Sequence, residues 1–170
     1  SDRPGLEAAV LEGRVDLGLI LTSNSAESPE LESRTLLSSP RGLWVAPTHP
    51  LARQEQVALK DVMAHPFLLY TVDEADRVTR TYIENRGLSV GIVFDTDSVE
   101  AVRSLVAIGF GVTILSRLLY RPWSLDGGRV EWRTLTDPPP SMDIGLIWRK
   151  DHALSEAEQR LIEALADAAG

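Results

Sequence analysis

Short apolar runs alternate with segments in which apolar side chains recur every three or four residues, and this alternation predicts an α/β fold built on parallel strands. Pro4 to Glu12 predicts a helix with Leu6, Ala9 and Val10 on one face, with Gly13 as its stop. Val15 to Leu21 predicts a buried strand, Thr22 to Glu30 a polar loop, and Leu31 to Leu37 and Gly42 to Ala46 two further strands. Leu59 to Ala64 predicts a short helix that ends before Pro66, because a residue preceding proline is pushed out of the helical region. Phe67 to Tyr70 is the next strand. A helix from Ala75 to Arg86 then turns Ala75, Val78, Tyr82 and Ile83 inward.

Val90 to Phe94, Ser98 to Ile108 and Val112 to Leu115 read as strand, helix and strand, a crossover unit closed by Gly109-Phe110-Gly111. The helix of this unit buries Val99, Val102, Leu105 and Val106. Arg117 to Leu125 is expected to be an irregular helical turn, followed by strands at Val130 to Leu135 and Asp143 to Trp148. The last helix starts at the capping box Ser155-Glu156-Ala157-Glu158 and carries Leu161, Ile162 and Leu165 into the core. Trp44 and Trp148 fall inside apolar strands, while Trp123 and Trp132 flank turns; buried or partly buried packing is expected for all four.

Catalytic motifs are missing from this framework. The chain has no Gly-x-Ser-x-Gly elbow and no phosphate loop, and Gly109-Phe110-Gly111 lacks the third glycine of a dinucleotide fingerprint. His49, His65 and His152 are too far apart in sequence to form a metal-ligand motif and read as loop histidines. The carboxylates at Asp73, Glu74, Asp76, Asp95 and Asp97 sit where helix starts favour acidic side chains. No catalytic residue, metal ligand or cofactor is therefore assigned, and a binding domain rather than an enzyme is expected.

Composition narrows the partners. The 170 residues carry 25 acidic and 17 basic side chains, a formal net charge of −8, which repels a phosphate backbone and removes the counterion release that drives DNA binding. No apolar run approaches the length of a membrane span, and no basic stretch followed by an apolar one opens the chain. The absence of cysteine fits a reducing cytoplasm.

In an open α/β sheet, ligands bind beyond the carboxyl ends of strands, where the chain turns into helix N-termini that offer unpaired N–H groups. Two loops meet that description. Thr71, Val72 and Asp73 lead into the Ala75 helix, and Thr96, Asp97 and Ser98 lead into the helix that follows. Their hydroxyls and N–H groups suit a carboxylate or another small anion. Capping is the competing role, through Thr71 with Glu74 and through Asp97 with Glu100, and the two roles are compatible.

Four segments in order also resemble a known family. Gly13-Arg14-Val15-Asp16-Leu17-Gly18-Leu19 resembles the G-x-x-D-L-x-L segment of LysR-type effector domains, and Gly42 to Ala52 resembles their V-x-P-x-H-P-L-A passage. Asp97 to Leu115 is similar to the S-x-E-A core that leads into V-A-x-G-x-G-V-x-x-L, and Gly145 to Arg149 with the helix after it is similar to the usual ending. The resemblance implies a two-lobed type 2 periplasmic-binding-protein fold with two crossover strands, near Leu43 to Pro47 and Ile144 to Trp148. Residues 1–44 with 148–170 would form lobe I and 45–147 lobe II, with the first strand, helix and strand of lobe I not represented.

The implied function is sensing of a small-molecule effector, bound between the lobes, by a cytoplasmic bacterial transcriptional regulator. DNA would be contacted only through a helix-turn-helix domain outside this chain, and a homodimer or homotetramer is expected. Thr22 and Ser23 in lobe I, with Ser1 and Asp2 at a neighbouring loop, join Thr71, Val72, Asp73, Thr96, Asp97 and Ser98 as candidate effector contacts. A solute-binding receptor of a transport system shares the implied fold and is the alternative, with an α/β enzyme behind it.

Overall fold

The structure is a computed structural model and describes residues 3–24, 28–72 and 75–169. The chain divides into two compact units, Ser1–Ser39 with Ser141–Gly170 and Pro40–Pro140, so it passes between them twice. The passages fall at residues 39–40 and 140–141 rather than at the expected 44–45 and 147–148. The reason is strand pairing: each strand expected to cross lies wholly in one unit's sheet.

The first unit contains α1 (Arg3–Leu11), β1 (Gly18–Leu21), β2 (Leu31–Ser39), β9 (Met142–Arg149) and α5 (Glu156–Ala169). β9 lies between β1 and β2 and runs antiparallel to both, so the parallel sheet expected from the alternation is not what this unit builds. Successive strand residues point to opposite faces, and β9 shows the consequence. Ile147 packs with Val10 and Leu6 of α1, whereas Leu146 and Trp148 pack with Ile162 and Leu165 of α5. The two helices therefore cover opposite faces of the sheet. Gly145 is required where three strands meet, because a Cβ there would strike the Arg34 carbonyl oxygen and come within 2.7 Å of Thr22 Cγ2.

Two expectations fail here. β1 begins at Gly18, not Val15, because Gly13 adopts φ 70° and the N–H groups of Arg14 and Val15 both bond back to the Ala9 carbonyl, at 2.9 and 3.3 Å. Those donors are spent closing α1 and cannot join a ladder. In α5, Ile162 is buried as expected but Leu161 is 49% exposed. The Ser155 and Glu158 box forms, with Ser155 N–H donating to Glu158 Oε2 at 2.6 Å.

The second unit contains β3 (Arg41–Val45), β4 (Gln56–Val57), α2 (Leu59–Val62), β5 (Phe67–Tyr70), α3 (Ala75–Glu84), β6 (Ile92–Thr96), α4 (Val99–Ala107), β7 (Thr113–Ser116) and β8 (Glu131–Leu135). β3 is antiparallel to both β7 and β8, β4 is parallel to β8, and β5 is parallel to β6. A parallel bridge between Phe67 and Val112, with Leu68 N–H donating to Val112 O at 2.9 Å, joins the β5–β6 pair to β7. The spatial order is β6-β5-β7-β3-β8-β4.

The same alternation sorts this core into two layers. Leu43, Val45, Phe67, Leu69 and Ile114 meet Tyr82 and Ile83 of α3 and Leu59 and Val62 of α2. Trp44, Leu68 and Leu115 meet Val102 and Val106 of α4 on the other side. β6 is the sheet edge, which leaves Val93 and Phe94 half-exposed. Trp123 is 57% exposed, contrary to the packing expected of it, while Trp44 and Trp148 are core and Trp132 packs partly buried against Tyr120.

Candidate functional site

The helix α4 carries the most complete local geometry in the second unit. Its N-cap is Ser98, in extended conformation, whose Oγ accepts from the Ala101 N–H at 3.2 Å. Ser98 N–H in turn donates to Thr96 Oγ1 at 3.1 Å. The helix begins one residue later than an Asp97 cap requires, so Glu100 stands in the second helical position and the expected Asp97–Glu100 box does not form. Glu100 instead accepts from the Leu125 N–H at 2.7 Å and pairs with Arg103.

An α-helix starts with four N–H groups that lack intrahelical partners. In α4 these belong to Ser98, Val99, Glu100 and Ala101: Ser98 N–H donates to Thr96 Oγ1 and Ala101 N–H to Ser98 Oγ, while Val102 N–H makes the first intrahelical bond, to the Ser98 carbonyl at 3.1 Å. Val99 and Glu100 N–H have no hydrogen-bond acceptor among the described residues. Two donors at the positive end of the helix dipole therefore remain open beside a serine already committed to capping.

β5 and β6 are parallel, so their carboxyl ends lie side by side, and Thr71 N–H donates to Thr96 O at 3.1 Å just past Tyr70. The structure thus brings Thr71, Thr96 and Ser98 together, with half-buried Val72 following Thr71. Asp97 and Asp95 are exposed to solvent. Ser1, Asp2 and Asp73, with Glu74 of the expected Thr71 box, lie outside the described residues.

Thr22 and Ser23 belong to the first unit, in a 3₁₀ turn that follows β1. Ser23 Oγ accepts from Asp143 N–H at 3.2 Å, and Thr22 Oγ1 lies 3.4 Å from both Thr35 Oγ1 and the Asp143 carbonyl oxygen. Ser38 donates to Asp143 Oδ1 at 2.6 Å. These hydroxyls fasten the start of β9 to its neighbours.

Two features escaped the sequence reading. Arg103, expected on no buried face, is 6% exposed; its guanidinium pairs with Glu100, donates to Leu119 O at 2.8 Å and stands 5.6 Å from the Trp44 ring. The spacing Glu100 to Arg103 on a helix was the available signal. The histidines are also less isolated than their spacing implied. His49 and His65 rings meet edge to face at 4.4 Å, and His49 Nδ1 caps a short 3₁₀ turn by accepting from Leu51 N–H at 3.2 Å. Burial, and then His65, lowers the His49 pKa below its ordinary value.

No helix among the described residues is long and apolar enough to cross a membrane. The family model described as the LysR substrate binding domain matches residues 1–170. An uncharacterized HTH-type transcriptional regulator of Bacillus subtilis, YwbI, is 26% identical over 160 residues, which is 93% of this chain and 52% of that protein. The chain thus spans about half the length of the curated relatives it matches. HinK, a LysR family transcriptional regulator from Pseudomonas aeruginosa, superposes with a TM-score of 0.87 at 23% identity, over 100% of this chain and 58% of HinK. The BenM effector binding domain with its effector benzoate gives a TM-score of 0.82 at 19% identity, over 99% of this chain and 75% of that one. These likenesses bear out the periplasmic-binding-protein-like fold and favour neither the transport-receptor nor the enzyme alternative. With the family model matching from the first residue to the last, the chain belongs to the LysR substrate binding domain family.

Proposed function

We propose that this chain senses a small carboxylate effector and thereby controls a DNA-binding segment outside it, as part of a cytoplasmic, homo-oligomeric bacterial transcriptional regulator. The observation that carries the reading is the pair of open N–H donors at Val99 and Glu100, next to the aligned carboxyl ends of β5 and β6. A carboxylate there accepts two hydrogen bonds and sits at the positive end of α4. Thr71, Val72, Thr96 and Ser98 surround that position, the hydroxyls of Thr96 and Ser98 orienting the loop rather than replacing the ligand contacts. The benzoate held by the BenM domain supports a carboxylate as the class to try first.

The net charge of −8 supports the absence of DNA contacts within the chain itself. An effector acts on the regulator only through different affinities for two arrangements of it, so ligand binding and control of DNA are separate measurements. A thermal-shift screen with benzoate and other small aromatic and aliphatic carboxylates tests the first. A ligand specific for the folded state raises stability by about 2.7 kcal/mol at a hundred times its Kd. Saturable stabilisation that Ser98→Asp removes is the expected result. Stabilisation by neutral analogues and carboxylates alike would overturn the anionic assignment.

A further inference from the structure

The first unit contains a cluster that effector binding does not use. Asp16 in the segment before β1, His152 in the β9–α5 connection and Glu158 in the first turn of α5 each present one ligand atom, all within 4.8 Å of one another. They come from two parts of the chain, Asp16 from one and His152 with Glu158 from the other; Asp16 is exposed, and His152 and Glu158 are half-buried. Their charge balance sets them apart from the acids around them. Glu12 is paired with Arg14, Asp151 with Arg149 and Glu156 with Arg160. Asp16 and Glu158 have no lysine or arginine partner among the described residues; the one group beside them able to carry positive charge is His152, whose Nε2 is 3.0 Å from Glu158 Oε1. Together the three side chains form a compact donor set of one imidazole nitrogen and two carboxylate oxygens.

We propose that Asp16, His152 and Glu158 form a binding site for a borderline first-row divalent cation, with Zn²⁺ as the representative ion. The donor set fits that class. One imidazole nitrogen and two carboxylate oxygens suit zinc, nickel, cobalt or manganese, whereas calcium and magnesium favour oxygen ligands alone. Nε2 and Oε1 stand at a hydrogen-bond distance of 3.0 Å, and tetrahedral bonds of about 2.1 Å place adjacent donors about 3.4 Å apart, so the pair opens by a few tenths of an ångström to admit the ion. The metal takes the place of the proton shared by His152 and Glu158. Neutral imidazole coordinates through Nε2 with its proton moved to Nδ1, and an imidazolium releases one proton to solvent. The two carboxylate charges neutralise the dication.

Three protein ligands leave at least one coordination position for water. Glu158 keeps its second oxygen on the Ser155 N–H, so the capping box survives metal binding. The bound ion links the segment before β1 to the start of α5. The inference rests on the first unit alone and is independent of the effector reading.

The test is calorimetric titration of the untagged chain with ZnCl₂, alongside the Co²⁺ absorption spectrum. One ion per chain is expected, with a d–d band indicating mixed nitrogen and oxygen ligands. His152→Gln and Asp16→Asn should each weaken zinc binding at least about tenfold, the scale set by losing one ligand-level interaction. Glu158 is spared because its replacement also removes a cap. The paired rings of His49 and His65 are the rival zinc ligands, and His49→Asn/His65→Gln should bind as the unaltered chain does. Absence of stoichiometric binding, binding unchanged in both His152→Gln and Asp16→Asn, or binding lost in the His49/His65 variant would each overturn the proposal.

Discussion

Replacing Ser98 separates its capping role from the ligand-binding role proposed for its loop. The Ser98 hydroxyl holds one N–H of α4 at 3.2 Å in an exposed setting, so its removal in Ser98→Ala leaves that donor to water rather than buried. Loss of such a cap costs about 1 kcal/mol, within a range of roughly 0.5–2. The unit from Pro40 to Pro140 is of a size for which each 1 kcal/mol lowers Tm by about 4–8 °C. Ser98→Asn and Ser98→Asp keep an acceptor and should stay within a few tenths of a kcal/mol of the unaltered chain. Their ligand responses should diverge. Asn leaves the Val99 and Glu100 donors available, whereas Asp places a negative charge where the carboxylate must sit. Urea unfolding measures the stabilities, and thermal shift with the carboxylate that most stabilises the unaltered chain measures binding. Equal stability of Ser98→Ala and the unaltered chain would refute the capping account, and an undiminished ligand shift in Ser98→Asp would move the site away from α4.

Acid should weaken the second unit through His49: its folded pKa lies below the ordinary value of about 6.5, so the stabilising contribution is present above that value and is lost as pH falls through the folded pKa. Protonation of Nδ1 also removes the acceptor for Leu51 N–H, so His49→Asn should flatten the urea midpoint between about pH 7 and 5. Gly145→Ala should destabilise the first unit by about 3 kcal/mol through collision with the Arg34 carbonyl, while Gly91→Ala, whose Cβ meets nothing within 4 Å, should stay within about 0.5 kcal/mol of the unaltered chain in the same unfolding assay. Tyr82→Phe removes the hydroxyl that donates to Asp137 O at 2.5 Å and should cost about 1 kcal/mol in urea unfolding; burial raises the phenol pKa to about 12, so the loss should be constant from pH 7 to 9.

What the sequence revealed follows from which forces are local. Phe67 to Tyr70 was legible as a strand because Pro66 and a polar loop bound an apolar run, and the observed strand has those limits. Ser98 to Ile108 was legible because its apolar spacing is helical, and it falls one residue short at each end in the structure. Val15 was misread because its N–H is diverted to Ala9 O by the turn at Gly13, a choice that hydrophobicity does not encode. Strand direction was misread in the first unit because β9 pairs with strands more than a hundred residues earlier, and alternation says nothing about which distant edges meet. The Thr71–Thr96 contact was within reach, since two consecutive strand-to-helix loops on parallel neighbours must adjoin. The Asp16, His152 and Glu158 cluster was not, because no spacing connects a residue before β1 to the start of α5.

The acidic character of the chain and the anionic ligand proposed for it are compatible because they act over different distances. A formal charge of −8 spread over the surface repels an approaching carboxylate, but at physiological salt that field decays within about 8 Å. Asp95 and Asp97 are both exposed, where water reduces a charge pair at 4 Å to about 1 kcal/mol. Against this stand direct hydrogen bonds from donors that otherwise face water. Hydrogen bonds to a charged acceptor contribute about 1.5–3 kcal/mol each, so two of them exceed the residual repulsion. On the proposed reading the N–H groups of Val99 and Glu100 would decide the ligand's sign, and the acidic surface would disfavour a phosphate backbone.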